Sequence, residues 1–409
     1  MNNEKFTPVI RFAVMSDIHL KDTHEVEHDR FIKGINDAYK IAESSEEYKN
    51  LDALVMVGDF ANSGSEPQFL AAKKIIDENI KEGTTVIASI ASHEYNQDNG
   101  GVEGANEKLK RIMGMDPDTH QVINGFHFVS ISPSHSCCYN EGKVKWMAEN
   151  LRQAREDAPE QPIFVFQHPH VTDTVYGSIY WGDDDLMPAY VDYPQIVDFS
   201  GHSHCPINDP RSVHQDHFTC FGTGSLSYFE LDEFDKFGGT CPSDNRDCAQ
   251  MLIVEADAQN RVRVYPYDII TGNFFPFVWK IDEPTNPDSF LYTDEKRYAA
   301  ALKPYFKEGS EAAADNITDK GAVISFPQAV EDDLPFVNCY DVTVRNDETG
   351  LIESVHCIWS SYYLYNMPER CSVPFENLKS GTAYTATVKA RGFFKNTSSN
   401  SLTVKFTTK

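Results

Sequence analysis

Five short clusters rich in aspartate and histidine occur in the first half of the chain, and each directly follows a run of apolar residues. They occupy residues 16–19, 58–62, 92–94, 168 and 201–204. Carboxylate oxygen and imidazole nitrogen suit transition ions such as Mn, Fe or Zn, and no cysteine lies within the clusters to suggest a thiolate zinc site. The residue types therefore predict a site for divalent transition metals.

The spacing within the clusters predicts how two ions would be held. Side chains two residues apart in extended backbone point to the same side, so both members of each Asp-x-His or His-x-His pair can face one centre. Two ions need a shared ligand, and a carboxylate can bridge them with its two oxygens, which makes Asp59 the natural bridge. The other ligands then divide into a site with Asp17, His19 and His204 and a site with His168 and His202. A lone histidine is more often a core or surface residue, so the prediction rests on all five clusters together.

An α/β domain would position these clusters. Short runs rich in Val, Ile and Phe predict buried strands at residues 9–15, 53–57, 85–90, 126–131, 163–166 and 196–199. Amphipathic patterns between them predict helices, the first with Phe31, Ile35 and Tyr39 on one face. Loops at the carboxyl ends of strands converge on one rim of an open α/β sheet, so distant clusters can meet there.

The order of the clusters resembles that of the calcineurin-like metallophosphoesterase superfamily. Its motif series is an Asp and His pair, a Gly-Asp motif, an Asn-His motif, a single His and a Gly-His-x-His motif, and the likeness covers about residues 11–206. The resemblance implies a four-layer α/β/β/α sandwich and a dinuclear centre whose bridging hydroxide hydrolyses a phosphomonoester or phosphodiester. It also implies that His93 is catalytic and protonates the departing alkoxide. The implied metal ligands are Asp17, His19, Asp59, Ser92, His168, His202 and His204.

Two positions depart from the family pattern. Ser92 stands where the family has the Asn of its Asn-His motif, and a hydroxyl is a shorter and poorer ligand than an amide oxygen. We therefore expect a weaker second metal site, and a degenerate phosphoesterase that acts as a binding module is the alternative function. Asn62 stands where many members have an acidic residue that orients the catalytic histidine; it can orient the ring but cannot stabilise its positive charge. A hydrolase with a single metal is a further alternative.

Substrate contacts are predicted in the loops around the rim. Asn62 is one candidate, and the loop at residues 170–185 contributes four others, which are His170, Tyr176, Tyr180 and Trp181. Aromatic rings there could stack on a base, a sugar or a lipid headgroup. Ordinary loop packing is the alternative interpretation.

The last 90 or so residues have a different pattern. Alternating runs at residues 322–326, 340–344, 355–359, 383–390 and 402–407 predict an all-β sandwich. The segment 378–384, which ends at Tyr384, resembles the tyrosine corner of a fibronectin type III domain. The chain is therefore predicted to contain a phosphoesterase domain at 1–275, a connecting segment at 276–320 and a fibronectin type III-like β-sandwich at 321–409, whose partner the sequence does not identify.

Composition limits the partners. The 62 acidic and 36 basic side chains give a formal charge of −26, which disfavours extended nucleic acid and anionic membranes and leaves a small phosphate ester as the expected substrate. No stretch approaches the roughly 18 apolar residues of a membrane span. Nine irregularly spaced cysteines predict a reducing, cytoplasmic setting. Secretion is the alternative if a leader has been removed, and Cys241 and Cys248 could then be bridged.

Overall fold

The computed structural model describes residues 5–233 and 236–409. The chain divides into two compact units, Met1–Asp294 and Glu295–Lys409. The division falls inside the segment 276–320 that the sequence predicts as a connection. No helix of the described residues has the length and hydropathy that crossing a membrane requires.

The first unit contains most of the helices. They are α1 (Val26–Ser44), α2 (Glu66–Asn79), α3 (Gly101–Lys108), α4 (Glu141–Asp157), α5 (Ser178–Trp181) and α6 (Met187–Tyr190), while α7 (Asp294–Ala300) lies where the two units meet in sequence. A π-helical turn at Leu109–Met113 continues α3, and single 3-10 turns occur at Gln97–Asn99, Pro210–Ser212 and Pro287–Ser289. Helix α2 begins at a capping box, in which the Ser65 side chain accepts from the backbone at Gln68 and the Gln68 side chain accepts from the backbone of Ser65.

The six strands predicted in the first two hundred residues are all present in the first unit, which also contains strands that were not predicted. They are β1 (Pro8–Met15), β2 (Ala53–Val57), β3 (Thr85–Ser89), β4 (Thr119–Ile123), β5 (Phe126–Ser130), β6 (Ile163–Gln167), β7 (His170–Val171), β8 (Gly182–Asp183), β9 (Ile196–Ser200), β10 (Val213–Gln215), β11 (Thr219–Gly222), β12 (Leu231–Glu233), β13 (Lys236–Thr240), β14 (Gln250–Asp257), β15 (Val262–Asp268), β16 (Asn273–Phe274) and β17 (Trp279–Ile281). One sheet has the order β16-β15-β14-β1-β2-β3, with β17 also paired to β15, and a second has the order β10-β11-β9-β6-β5-β4. Strands β1, β2 and β3 are mutually parallel, as are β5, β6, β9 and β11.

The two sheets pack face to face between layers of helices. Alternate residues of β1 point to opposite sides, so that Phe12 joins the core between the sheets while Met15 joins the core beneath α1 and α2. Across the sheet interface the rings of Phe12 and Phe164 meet edge to face, with centroids 4.8 Å apart. A further core lies between the second sheet and helices α4 and α6, where Met147 and Tyr190 are buried. This arrangement confirms the four-layer α/β/β/α sandwich.

The second unit is an all-β sandwich, as predicted. Its strands are β18 (Ala313–Asp315), β19 (Ala322–Pro327), β20 (Cys339–Asn346), β21 (Ile352–Trp359), β22 (Arg370–Phe375), β23 (Ala383–Arg391) and β24 (Leu402–Thr407). They form a three-stranded sheet, β18-β19-β22, and a four-stranded sheet, β21-β20-β23-β24, that enclose one apolar core. The Tyr384 hydroxyl accepts a hydrogen bond from the Lys379 backbone N–H at 3.0 Å and donates one to Glu353 at 2.9 Å. The segment 378–384 therefore has the geometry of a tyrosine corner.

All nine cysteines are free thiols in the structure, including Cys241 and Cys248. Cys339 and Cys357 lie on the neighbouring strands β20 and β21, with their Sγ atoms 3.8 Å apart.

Tyr384→Phe should destabilise the β-sandwich unit by about 2 kcal/mol, because the partly buried hydrogen bonds of its hydroxyl to the Lys379 N–H and to Glu353 are both lost. The free energy of unfolding of this unit, measured by urea denaturation of the full chain, tests this. Tyr305→Phe is the matched control: its hydroxyl bonds to Asp332 in exposed surroundings, so the loss should stay within about 0.5 kcal/mol. Equal losses in the two variants would contradict the tyrosine corner.

Candidate metal centre

The predicted ligands meet at one rim, where the carboxyl ends of strands from both sheets come together. Asp17 and His19 follow β1, Asp59 follows β2, and His93 follows β3, all in the first sheet. His168 follows β6 and His202 and His204 follow β9, both in the second sheet. The site therefore lies at the junction of the two sheets, and neither sheet alone carries all of its residues.

One group of potential ligands consists of Asp17, His19 and His204, whose ligand atoms all lie within 4.8 Å of one another. The Nε2 atom of His204 is 3.1 Å from Asp17 Oδ1 and 3.2 Å from His19 Nε2. All three side chains are at most 4% exposed. This is the set predicted for the first ion.

A second group consists of Asp59, His168 and His202, within the same 4.8 Å limit. His168 Nε2 lies 3.0 Å from Asp59 Oδ2 and 3.9 Å from Asp17 Oδ1, so the two groups adjoin. Asp59 also forms a group with His19 and His93. Asp59 therefore has potential ligands from both groups beside it.

The pairs reach the site by a route that differs from the sequence argument. We predicted extended backbone at the Asp-x-His and His-x-His pairs, and this was wrong. Asp17, His19, Asp59, His202 and His204 have φ values of 49°, 54°, 49°, 72° and 54°, in the left-handed region that non-glycine residues rarely adopt. The side chains converge because each loop turns sharply at the end of its strand. Such backbone costs of order 1–3 kcal/mol per residue and persists only where its surroundings enforce it.

Backbone contacts between neighbouring loops enforce these turns. The amides of Asp17 and His19 donate to the carbonyls of Gly58 and Asp59, at 3.3 and 3.1 Å. The Asp17 carbonyl accepts from the Ser225 hydroxyl at 3.0 Å. Gly58 itself has a φ of 75°, and a Cβ atom there would lie 2.5 Å from the His168 ring. The loops therefore stabilise one another as a unit.

Glu94 holds the loop after β2, a role that the sequence did not reveal. Its carboxylate is completely buried and accepts from the backbone amides of Asp59, Ala61 and Ala91, at 3.1, 2.7 and 2.8 Å. Burial and the nearby Asp59 charge raise its pKa to about 8. Only its position next to His93 in the cluster could have drawn attention to it.

The carboxylates and histidines of the centre shift one another's pKa values. Burial would raise the pKa of Asp17 and Asp59, but nearby histidines lower both below the ordinary value, with His204 and His168 the largest influences on Asp17 and His168 on Asp59. Burial, together with neighbouring histidines, lowers the pKa of His19 to about 3 and that of His202 to about 4. Burial would also lower the pKa of His168 and His204, but the neighbouring aspartates raise both, that of His168 to about 10. Ionised carboxylates and neutral imidazoles are the forms that bind metals, so metal binding would displace protons from these two rings.

Several buried polar atoms lack hydrogen-bonding partners. Asp17 Oδ1, His19 Nδ1 and His168 Nε2 have no assigned hydrogen-bond partner, although His204 Nε2 lies 3.1 Å from the first and Asp59 Oδ2 lies 3.0 Å from the last. An unsatisfied buried polar group costs about 1–3 kcal/mol. Divalent ions among these atoms would satisfy them, so the donor set fits the predicted cofactor.

His93 is oriented differently from the prediction. Its Nδ1 lies 2.7 Å from the backbone carbonyl of Asn62, whereas the Asn62 side-chain amide oxygen accepts from Lys21. The main chain of Asn62, not its amide, therefore holds the ring. The His93 ring packs edge to face on His19, with centroids 4.5 Å apart, which brings it to the edge of the centre.

Ser92 lies beside the second group. Its hydroxyl donates to Asp59, at 3.2 Å from Oδ2 and 3.5 Å from Oδ1, and the His93 amide donates to Asp59 Oδ1 at 3.0 Å. The short side chain therefore contacts the proposed bridging ligand.

The four candidates in the loop at residues 170–185 separate into two pairs. Trp181 packs edge to face on His202, with centroids 5.0 Å apart, and the exposed Tyr180 packs on Trp181. His170 and Tyr176 are buried instead. Both ring nitrogens of His170 are engaged, by Ser200 and Ser203, and the Tyr176 hydroxyl accepts from the Asp232 amide at 2.7 Å. Trp181 and Tyr180 alone among the four remain in a position to touch a substrate.

Two residues at the centre were not among the predicted ones. The Tyr228 ring lies over His204, with centroids 4.2 Å apart, and its backbone carbonyl contacts His204 Nδ1 at 2.9 Å. Cys137, in the loop after β5, places its Sγ 3.2 Å from His202 Nε2. Burial, followed by the Asp59 charge, raises the pKa of this thiol to about 12. Neither residue belongs to a recognisable motif.

Comparison with known families agrees with this geometry. Residues 10–206 match a family model described as calcineurin-like phosphoesterase. This part of the chain is a calcineurin-like phosphoesterase domain. All the predicted metal ligands, and His93, lie within the matched residues. No match to the chain was found among curated proteins.

Solved structures show similarity to both units. A purple acid phosphatase from yellow lupin seeds is 13% identical with a TM-score of 0.49, over 68% of this chain and 54% of that one, so the chain spans about half of its length. PhoD is 11% identical with a TM-score of 0.41, over 71% of this chain and 74% of that one. The fn3 domain of human collagen alpha-1(XX) is 17% identical with a TM-score of 0.20, over 27% of this chain and 88% of that one.

Gly201→Ala in the phosphoesterase domain should weaken metal binding by about tenfold or more, because the added Cβ would lie 2.6 Å from Asp17 Oδ2. Titration of metal-free protein with Mn²⁺, with bound ions counted by mass spectrometry, measures the effect. Gly222→Ala is the control, since the nearest heavy atom to its added Cβ is 3.8 Å away. Unchanged affinity in Gly201→Ala would show that the Asp17 carboxylate does not hold an ion.

Proposed function

We propose that the phosphoesterase domain hydrolyses a small phosphomonoester or phosphodiester with the help of two divalent transition-metal ions, Mn, Fe or Zn. The observation that carries the proposal is the pair of adjoining ligand groups, one around Asp17 and the other around Asp59, separated by 3.9 Å between His168 Nε2 and Asp17 Oδ1. Two ions so bound would supply Lewis acidity and a strong nucleophile at neutral pH.

The chain would hold these ions with the residues already described. Asp17, His19 and His204 would bind the first ion, His168 and His202 the second, and Asp59 would bridge them. Ser92 is placed next to the second site, where its hydroxyl would be a weak ligand. Both aspartates are buried and accept backbone N–H groups, Asp17 from His202 and Asp59 from His93, which orient their carboxylates.

His93 would transfer the proton to the leaving group. Its Nδ1–H is donated to the Asn62 carbonyl, which leaves Nε2 for exchange with the substrate oxygen. The ring is half-buried at the edge of the site, so a leaving group can approach it from the solvent side.

The surroundings of the rim support a small substrate. Trp181 and Tyr180 offer aromatic surface beside His202, onto which an aromatic or sugar ring can pack. The chain carries a formal charge of −26, which repels extended phosphate polymers. We propose neither a nucleic-acid nor a membrane partner, and a cytoplasmic location stays a prediction from the cysteine pattern.

Hydrolysis of an aryl phosphomonoester and an aryl phosphodiester, by protein stripped of metal and titrated with Mn²⁺, tests the proposed function. We expect turnover to rise as two ions bind, and the preferred ester identifies the substrate class. Full metal occupancy without turnover on either ester would instead favour a binding module. Saturation at one ion would favour a one-metal hydrolase.

His93→Ala and Asp59→Ala should separate proton transfer from metal binding. We expect His93→Ala to bind two ions and lose about 10²–10⁴-fold in turnover, because the leaving oxygen loses its proton donor. Asp59→Ala should fail to bind the two metal ions, because their shared ligand is removed. Ions bound and turnover are measured on the same samples, and equal metal loss in both variants would disprove this division of roles.

The presence of Ser92 where the family has an asparagine is the observation that favours the binding-module alternative. Ser92→Asn should tighten binding of the second ion severalfold, because an amide oxygen reaches further than a hydroxyl and is a better ligand. Ser92→Ala, its matched counterpart, should weaken it. Both are measured by Mn²⁺ titration, and identical affinities in the three proteins would show that this position does not contribute to the second site.

A further inference from the structure

The histidines of the centre differ in which ring nitrogen is held from outside. The Nδ1 atoms of His168 and His204 contact the backbone carbonyls of Val57 and Tyr228, at 2.8 and 2.9 Å, which leaves Nε2 facing the carboxylates. His202 has the opposite arrangement, because its Nε2 contacts Cys137 Sγ at 3.2 Å. Its Nδ1 is therefore the nitrogen left for the centre.

Histidine ligands generally donate the second ring N–H to an outer partner, which fixes both the tautomer and the orientation of the ring. A carbonyl plays this part for His168 and His204, and the corresponding contact at His202 is with a thiol, a weaker acceptor.

The loop that carries Cys137 is held in place by its own hydrogen bonds. Ser134 N–H donates to the Cys138 carbonyl at 2.8 Å, and Cys138 N–H donates to the His135 carbonyl at 2.9 Å. Between them Ser136 adopts a left-handed φ of 46°. The two adjacent cysteines diverge, since Cys137 contacts His202 while Cys138 lies with Asp183 and Asp185.

The His202 ring is thus confined on several sides. Trp181 packs on it edge to face with centroids 5.0 Å apart, and the His168 ring lies at the same centroid distance. Its backbone amide donates to Asp17 Oδ2 at 3.1 Å. These contacts limit where the ring lies, and the contact with Cys137 is the one made to a ring nitrogen.

We propose that Cys137 is a positioning residue for the second metal site. Its thiol accepts the Nε2–H of His202, holds the imidazole in one tautomer and keeps Nδ1 available to the ion. This inference rests on the proposed two-metal function and adds a residue that acts through a ligand, without contact with the ion itself. It also assigns a role to a cysteine in a centre whose ligands are oxygen and nitrogen donors.

The test measures ion binding to the full chain. Metal-free wild type, Cys137→Ala and Cys137→Ser are titrated with Mn²⁺, with Cys138→Ala as the matched control from the neighbouring position. Loss of an outer partner typically weakens metal binding by about 10–100-fold, so we expect this loss for the second ion in Cys137→Ala, with the first ion unaffected. A serine hydroxyl also accepts an N–H, so Cys137→Ser should restore most of the affinity, and Cys138→Ala should match wild type.

A second measurement separates an outer partner from a direct ligand. Co²⁺ bound to a thiolate gives a charge-transfer band in the near ultraviolet, and we expect none in the Co²⁺-loaded wild type. A band that disappears in Cys137→Ala would overturn the proposal in favour of direct coordination. Wild-type affinity in Cys137→Ala, or equal loss in Cys137→Ala and Cys137→Ser, would also overturn it. A wild type that binds fewer than two ions would refute the proposed function first, and this inference with it.

Discussion

The burial of two carboxylates, Asp17 and Asp59, is the constraint on which the rest of the centre depends. Both are at most 1% exposed, and an isolated buried carboxylate would be strongly destabilising. Histidines from both sheets surround them and lower their pKa values against the effect of burial. Charge compensation therefore couples the two sheets at this rim, in addition to the apolar core between them.

The same constraint accounts for the unusual backbone of the loops. Five of the proposed ligands adopt left-handed φ values, which turn their side chains toward the centre within a few residues of the end of each strand. Backbone hydrogen bonds between loops, the carboxylate of Glu94 and the close approach of Gly58 to His168 hold that geometry. Strain of this kind is retained where the surrounding structure enforces it, and here it keeps the potential ligand atoms close together.

The two halves of the centre are built differently. The first group contains an aspartate and two histidines within one compact cluster, and the outer nitrogen of His204 is held by a main-chain carbonyl. Around the second group, Ser92 offers only a short hydroxyl and His202 has a thiol as its outer partner. Each group thus contains an aspartate and two histidines, and one histidine of each is held by a main-chain carbonyl. The second differs in the hydroxyl and the thiol that lie beside it.

The sequence by itself determined the α/β class of the first unit, six of its strands and the residues that reach the rim, because buried strands require apolar runs and the polar clusters directly follow them. The four layers were implied by the family resemblance. The sequence also predicted the β-sandwich, although the interrupted pattern around Pro374 did not predict strand β22.

Only the tertiary structure decided that the ligand pairs turn through left-handed backbone, that His170 and Tyr176 are buried, and that the main chain of Asn62 holds His93. It alone placed Glu94 and Cys137 at the centre. These features depend on contacts between residues distant in sequence, for which local pattern carries no signal, whereas strand and cluster order follows from local polarity.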